Sequence, residues 1–370
     1  MASPEPLSQG LDEAVLDTMR NARAPSTRAS YAHKWKYFSS WCAARQADPV
    51  SCGVAVVLRF LQSLLDAGRA ASTVRVYSAA ISLHHVRVDG LPIGRHGCVT
   101  QFLRGVRRLR PGRALRTPAW DLPLVLRSLT RAPYEPLDRS DLKSLSRKTA
   151  LLLALSSAKR VGELQALSVS QDCMRWKPDG TGVSLWPNPA FLPKVVAPRT
   201  VNHVLEVVAL GSALGPQGCS EDLSTLCPVR ALRAYVERTQ PLRGAGTQLF
   251  VCYGGRRLGL PLSKQRLSHW LVDAISAAYV DLGQPVPENV VAHSTRGIAT
   301  SWAALKGVSM EDICAAASWS APCTFARFYR LNVESTGSLG SAVLLAAAQR
   351  DGDGVEHPVP RDPVGISHPL

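Results

Sequence analysis

The chain has 370 residues and a formal net charge of +15, from 43 Lys and Arg against 28 Asp and Glu, a length that suits two ordinary domains better than one core. With 46% hydrophobic and 19% charged residues it can bury a core along most of its length, which excludes general disorder. No apolar run approaches the ~20 residues of a membrane span, and no membrane partner is expected. Nine cysteines, odd in number and without a CxxC pair, predict reduced thiols of an intracellular protein and no structural zinc. Glu5, Asp12, Glu13 and Asp17 have the wrong sign for a secretory signal, and residues 1–23 read as a flexible acidic N-terminus. The densest positive charge, +13, lies in residues 20–115, so a polyanion is the expected partner and nucleic acid the commonest one.

From Pro25 to Arg110 the pattern is helical. Ser26 is the expected N-cap of a helix carrying Tyr31, Trp35, Phe38 and Trp41 at spacings of four, three and three, one apolar face read as core. A second helix is expected over Val54–Leu65, ended by Gly68. A third is capped by Ser72 and carries Val76, Tyr77, Ala80, Ile81 and Leu83. A fourth covers Val99–Val106. Four short helices with short connections predict an all-α bundle over residues 24–110. Arg28, Lys34, Lys36, Arg75, Arg104, Arg107 and Arg108 interleave with the apolar positions and are the candidate DNA contacts. Residues 111–118, rich in Pro, Gly and Arg, read as a linker.

The region from residue 119 to 350 is mixed. Helices are expected over Leu122–Leu129 and Asp141–Leu167. Short β-like runs follow at Val169–Trp176, Val183–Trp186 and Val201–Leu210, separated by Pro- and Gly-rich turns. Helices return at Pro228–Arg238, Ser263–Leu282, His293–Leu305, Ser309–Ala317 and Leu339–Ala348. Residues 351–370 read as a disordered tail. The fold class is mainly α, with a small antiparallel sheet in the second region.

The sequence lacks a Walker A loop, a GxGxxG after a strand, an HExxH and a GxSxG. No carboxylate cluster suits a two-metal nuclease, so no metal and no cofactor is expected. A basic DNA-directed protein of this kind has guanidinium groups to meet phosphate charge, because their planar fork matches two phosphate oxygens. Three segments supply such groups. Residues 156–167 (SSAKRVGELQAL) place Glu163 three residues after Arg160, one helical turn on. Residues 292–297 (AHSTRG) place His293 and Arg296 on one face at a helix start. Residues 316–331 (AASWSAPCTFARFYRL) present Trp319 and then Tyr329. Taken singly, such an Arg is ordinarily a surface cap, such a His a helix cap, and such a Trp and Tyr core. Their order and spacing together carry the functional reading.

That order, Arg…Glu, His-x-x-Arg, Trp, Tyr, resembles the catalytic domain of the tyrosine recombinases, the phage-integrase family. The wording of residues 293–331 and of 228–236 (PVRALRAYV) is similar to recombinases of DIRS-like retrotransposons in animals. The resemblance runs over roughly residues 24–348. It implies a helical, SAM-like core-binding domain followed by a mixed α+β catalytic domain. It further implies that Arg160 and Arg296 clamp the scissile phosphate, His293 and Trp319 contact it, Tyr329 is the nucleophile, and Glu163 orients neighbouring side chains. A lysine on a β-hairpin would be the general acid. Lys194 is preferred and Lys177 is the runner-up. Two departures stand out: Gly297 occupies the place of a second His, and the ten residues from Trp319 to Tyr329 are one more than is usual. Placing the phenol therefore needs an inserted residue or a shifted helix, and Pro322 is the expected site of that irregularity.

The resemblance implies a site-specific recombinase or integrase that cuts and rejoins double-stranded DNA through a 3′-phosphotyrosyl link, as a homo-tetramer on paired sites. In a eukaryote it would reside in the nucleus. The alternatives are a recombinase-derived DNA-binding protein without catalysis and a type IB topoisomerase-like activity.

Overall fold

A run of aromatic side chains at helical spacing can close a core in fewer than ninety residues, and residues 25–109 do so. The computed structural model describes residues 11–111, 120–194, 203–211 and 221–331, and the chain divides near residue 115 into two compact units. In the first, α1 (Glu13–Arg20) precedes α2 (Pro25–Ala43), α3 (Val54–Asp66), α4 (Ala71–His84) and α5 (Gly97–Leu109). The core centres on Phe60 of α3, whose ring centroid lies 4.9 Å from Phe38, 5.4 Å from Trp41 and 5.6 Å from Tyr77. Val57, Phe60, Leu61 and Leu64 are buried at the i, i+3, i+4, i+7 positions of one face. On α2, Phe38 and Cys42 take the buried positions, whereas Tyr31, Trp35 and Trp41 are only half-buried. Trp35 stacks on His84 at 4.7 Å.

Helix starts fall slightly earlier than expected. α2 begins at Pro25 with Ala24 in the cap position, because proline's fixed φ suits the first helical residue. α4 begins at Ala71, ahead of the expected cap Ser72. The acidic N-terminus contains the helical turn pair of α1, where Arg20 reaches Glu13 and Asp17, each at 2.6 Å. Arg104, Arg107 and Arg108 are exposed on α5, opposite the buried Val99 and Val106. Arg28 and Lys34 are half-buried, and Lys36 and Arg75 are exposed. The linker core at 112–118, the helix expected at Leu339–Ala348 and the tail lie outside the described residues.

In the second unit, α6 (Leu122–Leu129), α7 (Leu142–Ser157) and α8 (Val161–Gln165) lead into β1 (Met174–Trp176), β2 (Gly182–Leu185) and β3 (Leu205–Val208). These pair antiparallel in the order β1-β2-β3. Each strand is shorter than its β-like run, and Val183, Leu185, Leu205 and Val207 alternate inward. Then come α9 (Glu221–Thr225), α10 (Pro228–Thr239), α11 (Lys264–Asp281), α12 (Ser294–Leu305), α13 (Met310–Ala316) and the short α14 (Pro322–Thr324). Ser263 and Ser309 cap α11 and α13 from the positions where those helices were expected to begin.

The helix expected to run unbroken from Asp141 to Leu167 is interrupted. Asp141 caps α7 through Ser144 N–H, but Ala158 takes a left-handed φ of 49° and ends it, so Lys159 and Arg160 lie in a turn. α7 buries residues around its whole circumference and is the central element of this unit's core. The charge it carries inward, Lys148, is fully buried. Its ammonium donates to Leu129 O at 2.8 Å and to Glu135, and Arg230 grips the same carboxylate at 2.7 and 3.0 Å. Although burial alone would raise it, the hydrogen bonds from Arg230 and Lys148 hold the Glu135 carboxyl below its ordinary value. Glu135→Ala leaves a buried ammonium without its counter-charge and is expected to destabilise the chain by about 3 kcal/mol, measured by denaturant unfolding. Lys148→Met, which leaves Glu135 paired with Arg230, is expected to cost less.

Candidate active site

The left-handed residue Ala158 turns the chain out of α7 and makes Arg160 the N-cap residue of α8. Glu163, three residues on, accepts the Arg160 backbone N–H at 2.7 Å and its guanidinium at 2.8 Å. One carboxylate thus caps the helix and fixes the direction of the arginine. Arg160 keeps 22% of its side chain exposed, so its outer edge is open to an incoming anion.

Arg296, in the first turn of α12, is 1% exposed. One terminal nitrogen donates to Ala158 O at 2.8 Å and the other to Ala317 O, and Glu163 lies 3.8 Å away. Burial first, then the repulsion of Arg160, push its pKa down to about 10, which leaves it cationic at neutral pH. Its Nε has no hydrogen-bond partner among the described residues, nor does the buried indole Nε1 of Trp319. Two buried donors at one site are the kind of groups an oxyanion satisfies.

Trp319 follows Ser318, a second left-handed residue with φ 51°, and its ring packs 4.6 Å from that of Tyr329. The Arg296 guanidinium carbon lies 4.8 Å from the Trp319 ring centroid and 5.4 Å from that of Tyr329. His293 is exposed, and its Nε2 stands 3.0 Å from the Tyr329 hydroxyl. The side chains of Arg160, Glu163, His293, Arg296, Trp319 and Tyr329 therefore gather in one cluster, although their positions span 170 residues of sequence.

The extra residue between Trp319 and Tyr329 is taken up by a π turn. Residues Phe325–Tyr329 form a single turn of π-helix closed by Arg330 N–H to Phe325 O at 2.9 Å. Such a turn accommodates one more residue than an α turn. It begins three residues after Pro322, which itself starts the short α14. Gly297 faces the same segment: a Cβ there would lie 3.5 Å from Tyr329 O and 3.4 Å from Leu331, ordinary contact distances. One helical turn on, Ser301 Oγ donates to Tyr329 O at 3.2 Å and accepts Leu331 N–H at 2.9 Å. Sequence reasoning missed Ser301, because a serine inside a helix carries no signal of its own.

The lysines fall differently. Lys194 is exposed in the segment after β2. Lys177 is exposed in the β1–β2 turn, which Gly180 N–H closes onto Lys177 O at 3.0 Å. Lys159, also missed in the sequence, lies beside the cluster. Among the described residues no group of three His, Cys, Asp or Glu could hold a metal ion, and no helix is long and apolar enough to cross a membrane.

No family model and no curated protein sequence matches the chain. Solved structures do. A lambda integrase (75–356) dimer bound to a COC′ core site is similar with a TM-score of 0.50 at 14% identity, over 90% of this chain and 93% of that one. The Tn1549 transposon integrase in complex with transposon right end DNA is similar with a TM-score of 0.56 at 11% identity, over 91% of this chain and 98% of that one. The mainly helical architecture with its small antiparallel sheet is the fold of these tyrosine recombinases and integrases.

Proposed function

We propose that the protein is a tyrosine recombinase or integrase that cuts and rejoins double-stranded DNA through Tyr329. The observation that carries this reading is the Tyr329 hydroxyl 3.0 Å from His293 Nε2, with its ring against Trp319 and Arg296. A free phenol has a pKa of about 10 and attacks at neutral pH only with a nearby base or a cationic field. His293 supplies the first, and Arg160 and Arg296 supply the second.

In the proposed step the Tyr329 oxygen attacks the scissile phosphorus and gives its proton to His293. The bond from phosphorus to the 5′ oxygen breaks, and a 3′-phosphotyrosyl bond forms. Arg160, Arg296 and the Trp319 indole N–H receive the charge that builds on the non-bridging oxygens. The departing 5′ oxygen takes a proton from a lysine, for which Lys194 stands ahead of Lys177. Because one phosphoester replaces another, the reverse attack by a 5′ hydroxyl rejoins the strand without an outside energy source. Glu163 is a positioning residue in this scheme.

The lambda integrase of the similar structure is a dimer on its DNA, and recombination joins two sites, so assembly as a homo-tetramer on paired duplexes belongs to the proposal. The exposed arginines of α5 and the basic residues Arg28, Lys34, Lys36 and Arg75 are the proposed duplex contacts of the first unit. The wording of residues 293–331 points to DIRS-like retrotransposon recombinases as relatives and to the nucleus as the working compartment.

The test is covalent capture. Incubating the full chain with a library of nicked duplexes should give a protein–DNA species that survives denaturation, and sequencing the attached strand identifies the target. Tyr329→Phe should bind DNA as before and give no such species; an adduct persisting in that variant reassigns the nucleophile. Trp319→Phe keeps the ring and removes the N–H, and is expected to slow single-turnover cleavage by about a hundredfold. Ser301→Ala frees the tyrosine segment from α12 and should slow it by about tenfold. Binding affinity should fall linearly on a log–log salt plot, by about 0.9 per phosphate contacted; a flat response argues against DNA as the partner. Binding without any adduct favours the non-catalytic reading, and supercoil relaxation without strand exchange favours the topoisomerase-like one.

A further inference from the structure

One buried titratable group beside the cluster has no part in the scheme above. Lys159 is 7% exposed and lies between the left-handed Ala158 and the helix cap Arg160. Its ammonium donates to Ser318 Oγ at 2.8 Å and stands 3.4 Å from His203 Nδ1. With Glu163, His203, Ser318 and Phe191 it lines a cavity of about 30 Å³, room for one or two waters. Among the described residues its direct partners are a hydroxyl and an imidazole rather than a carboxylate, an unusual setting for a buried ammonium.

The geometry links two turns twice. Arg296 joins them by donating to Ala158 O and to Ala317 O. Lys159 joins them again through Ser318, whose φ of 51° mirrors the 49° of Ala158. One turn presents Arg160, and the other presents Trp319. We propose that Lys159 is a positioning residue of the strand-transfer site, its ammonium tying the turn that carries Arg160 to the turn that carries Trp319. The inference rests on the proposed strand-transfer function for its effect on activity, but the tie itself is a property of the folded chain.

The tie responds to pH. Four groups face the ammonium: Arg160 and Arg296 repel it, Glu163 attracts it and His203 borders it. Burial first, with both arginines adding to it, pushes the Lys159 pKa down to about 8, against the opposing pull of Glu163. Below that value the lysine is charged, its bond to Ser318 is charge-assisted, and it adds to the cationic field. Above it the bond weakens and the field loses one charge. Strand cleavage should therefore decline as pH rises through about 8. A phosphate bound between the arginines relieves their repulsion of Lys159 and raises its proton affinity.

The experiment compares wild type, Lys159→Gln and Ser318→Ala, as full chains, in single-turnover cleavage of a captured nicked duplex between pH 6.5 and 9.5. Lys159→Gln keeps a donor of similar reach without the buried charge, so it is expected to fold as stably as wild type. It should cleave about tenfold more slowly near pH 7 and lose the alkaline decline. Ser318→Ala should slow cleavage while the decline remains. In parallel, NMR of lysine side chains, with the residue 159 signal assigned by its loss in Lys159→Gln, should show a titration near 8 that shifts upward when a 20-mer duplex is added. The inference is overturned if Lys159→Gln keeps the wild-type alkaline decline, or if the residue 159 signal titrates like an exposed lysine. A wild-type chain that forms no adduct while the residue 159 signal titrates near 8 overturns the strand-transfer reading and leaves the tie standing.

Discussion

The cost of burying one guanidinium organises the second unit of this chain. Arg296 is taken almost entirely out of water, and an ion in that position persists only where fixed dipoles replace its hydration. The dipoles are the carbonyls of Ala158 and Ala317, each at a helix end where a carbonyl lacks an intrahelical partner. Both turns are left-handed at non-glycine residues, at Ala158 and at Ser318 beside Ala317. Such residues persist where the surroundings over-determine them, and here the arginine is part of those surroundings. The local backbone and the buried cation therefore hold each other in place.

From that arrangement follows the placing of the aromatic groups. Trp319 leaves its turn directly beneath the guanidinium, and Tyr329 packs on Trp319. Ser301, on the helix that carries Arg296, receives the backbone around the tyrosine. A single helix, α12, thus supplies the buried cation, the imidazole at its N-terminus and the dock for the phenol. Movement of α12 carries all three together, which protects their mutual distances from small shifts elsewhere in the unit.

Much of this was legible in the sequence, and the misses have physical causes. Periodicity gave the long helices, because burial of one face imposes it on the residues. The order of the six cluster residues was legible from their types and spacing. The break at Ala158 was not: alanine is the best helix former, and what bends the chain there is a buried arginine from 138 positions away, a tertiary effect invisible locally. The same break hid Lys159, which on an unbroken helix would have been one more surface lysine. The ten-residue interval from Trp319 to Tyr329 pointed to an irregularity in this stretch, but proline was the wrong place to seek it. Pro322 is comfortable at the start of α14, since a first-turn proline forfeits no helical hydrogen bond, and the irregularity passes on to Phe325–Tyr329.

The charge balance of the cluster explains why it is suited to an anion. Arg160, Arg296 and Lys159 converge on a single carboxylate, Glu163, which bonds Arg160 and stands 3.8 Å from Arg296. Three cations against one anion leave an excess of positive charge, and burial first, with that mutual repulsion added to it, lowers the proton affinities of Arg296 and Lys159. Glu163 offsets only part of that repulsion; the rest is sustained by the apolar core around α7, which holds the elements together. An anion entering between the arginines removes repulsion already present in the folded chain and meets donors already oriented, so its binding calls for little reorganisation. Removing Glu163 would add repulsion rather than affinity, because the carboxylate both caps α8 and aims Arg160, and an arginine free to swing away no longer contributes a fixed field.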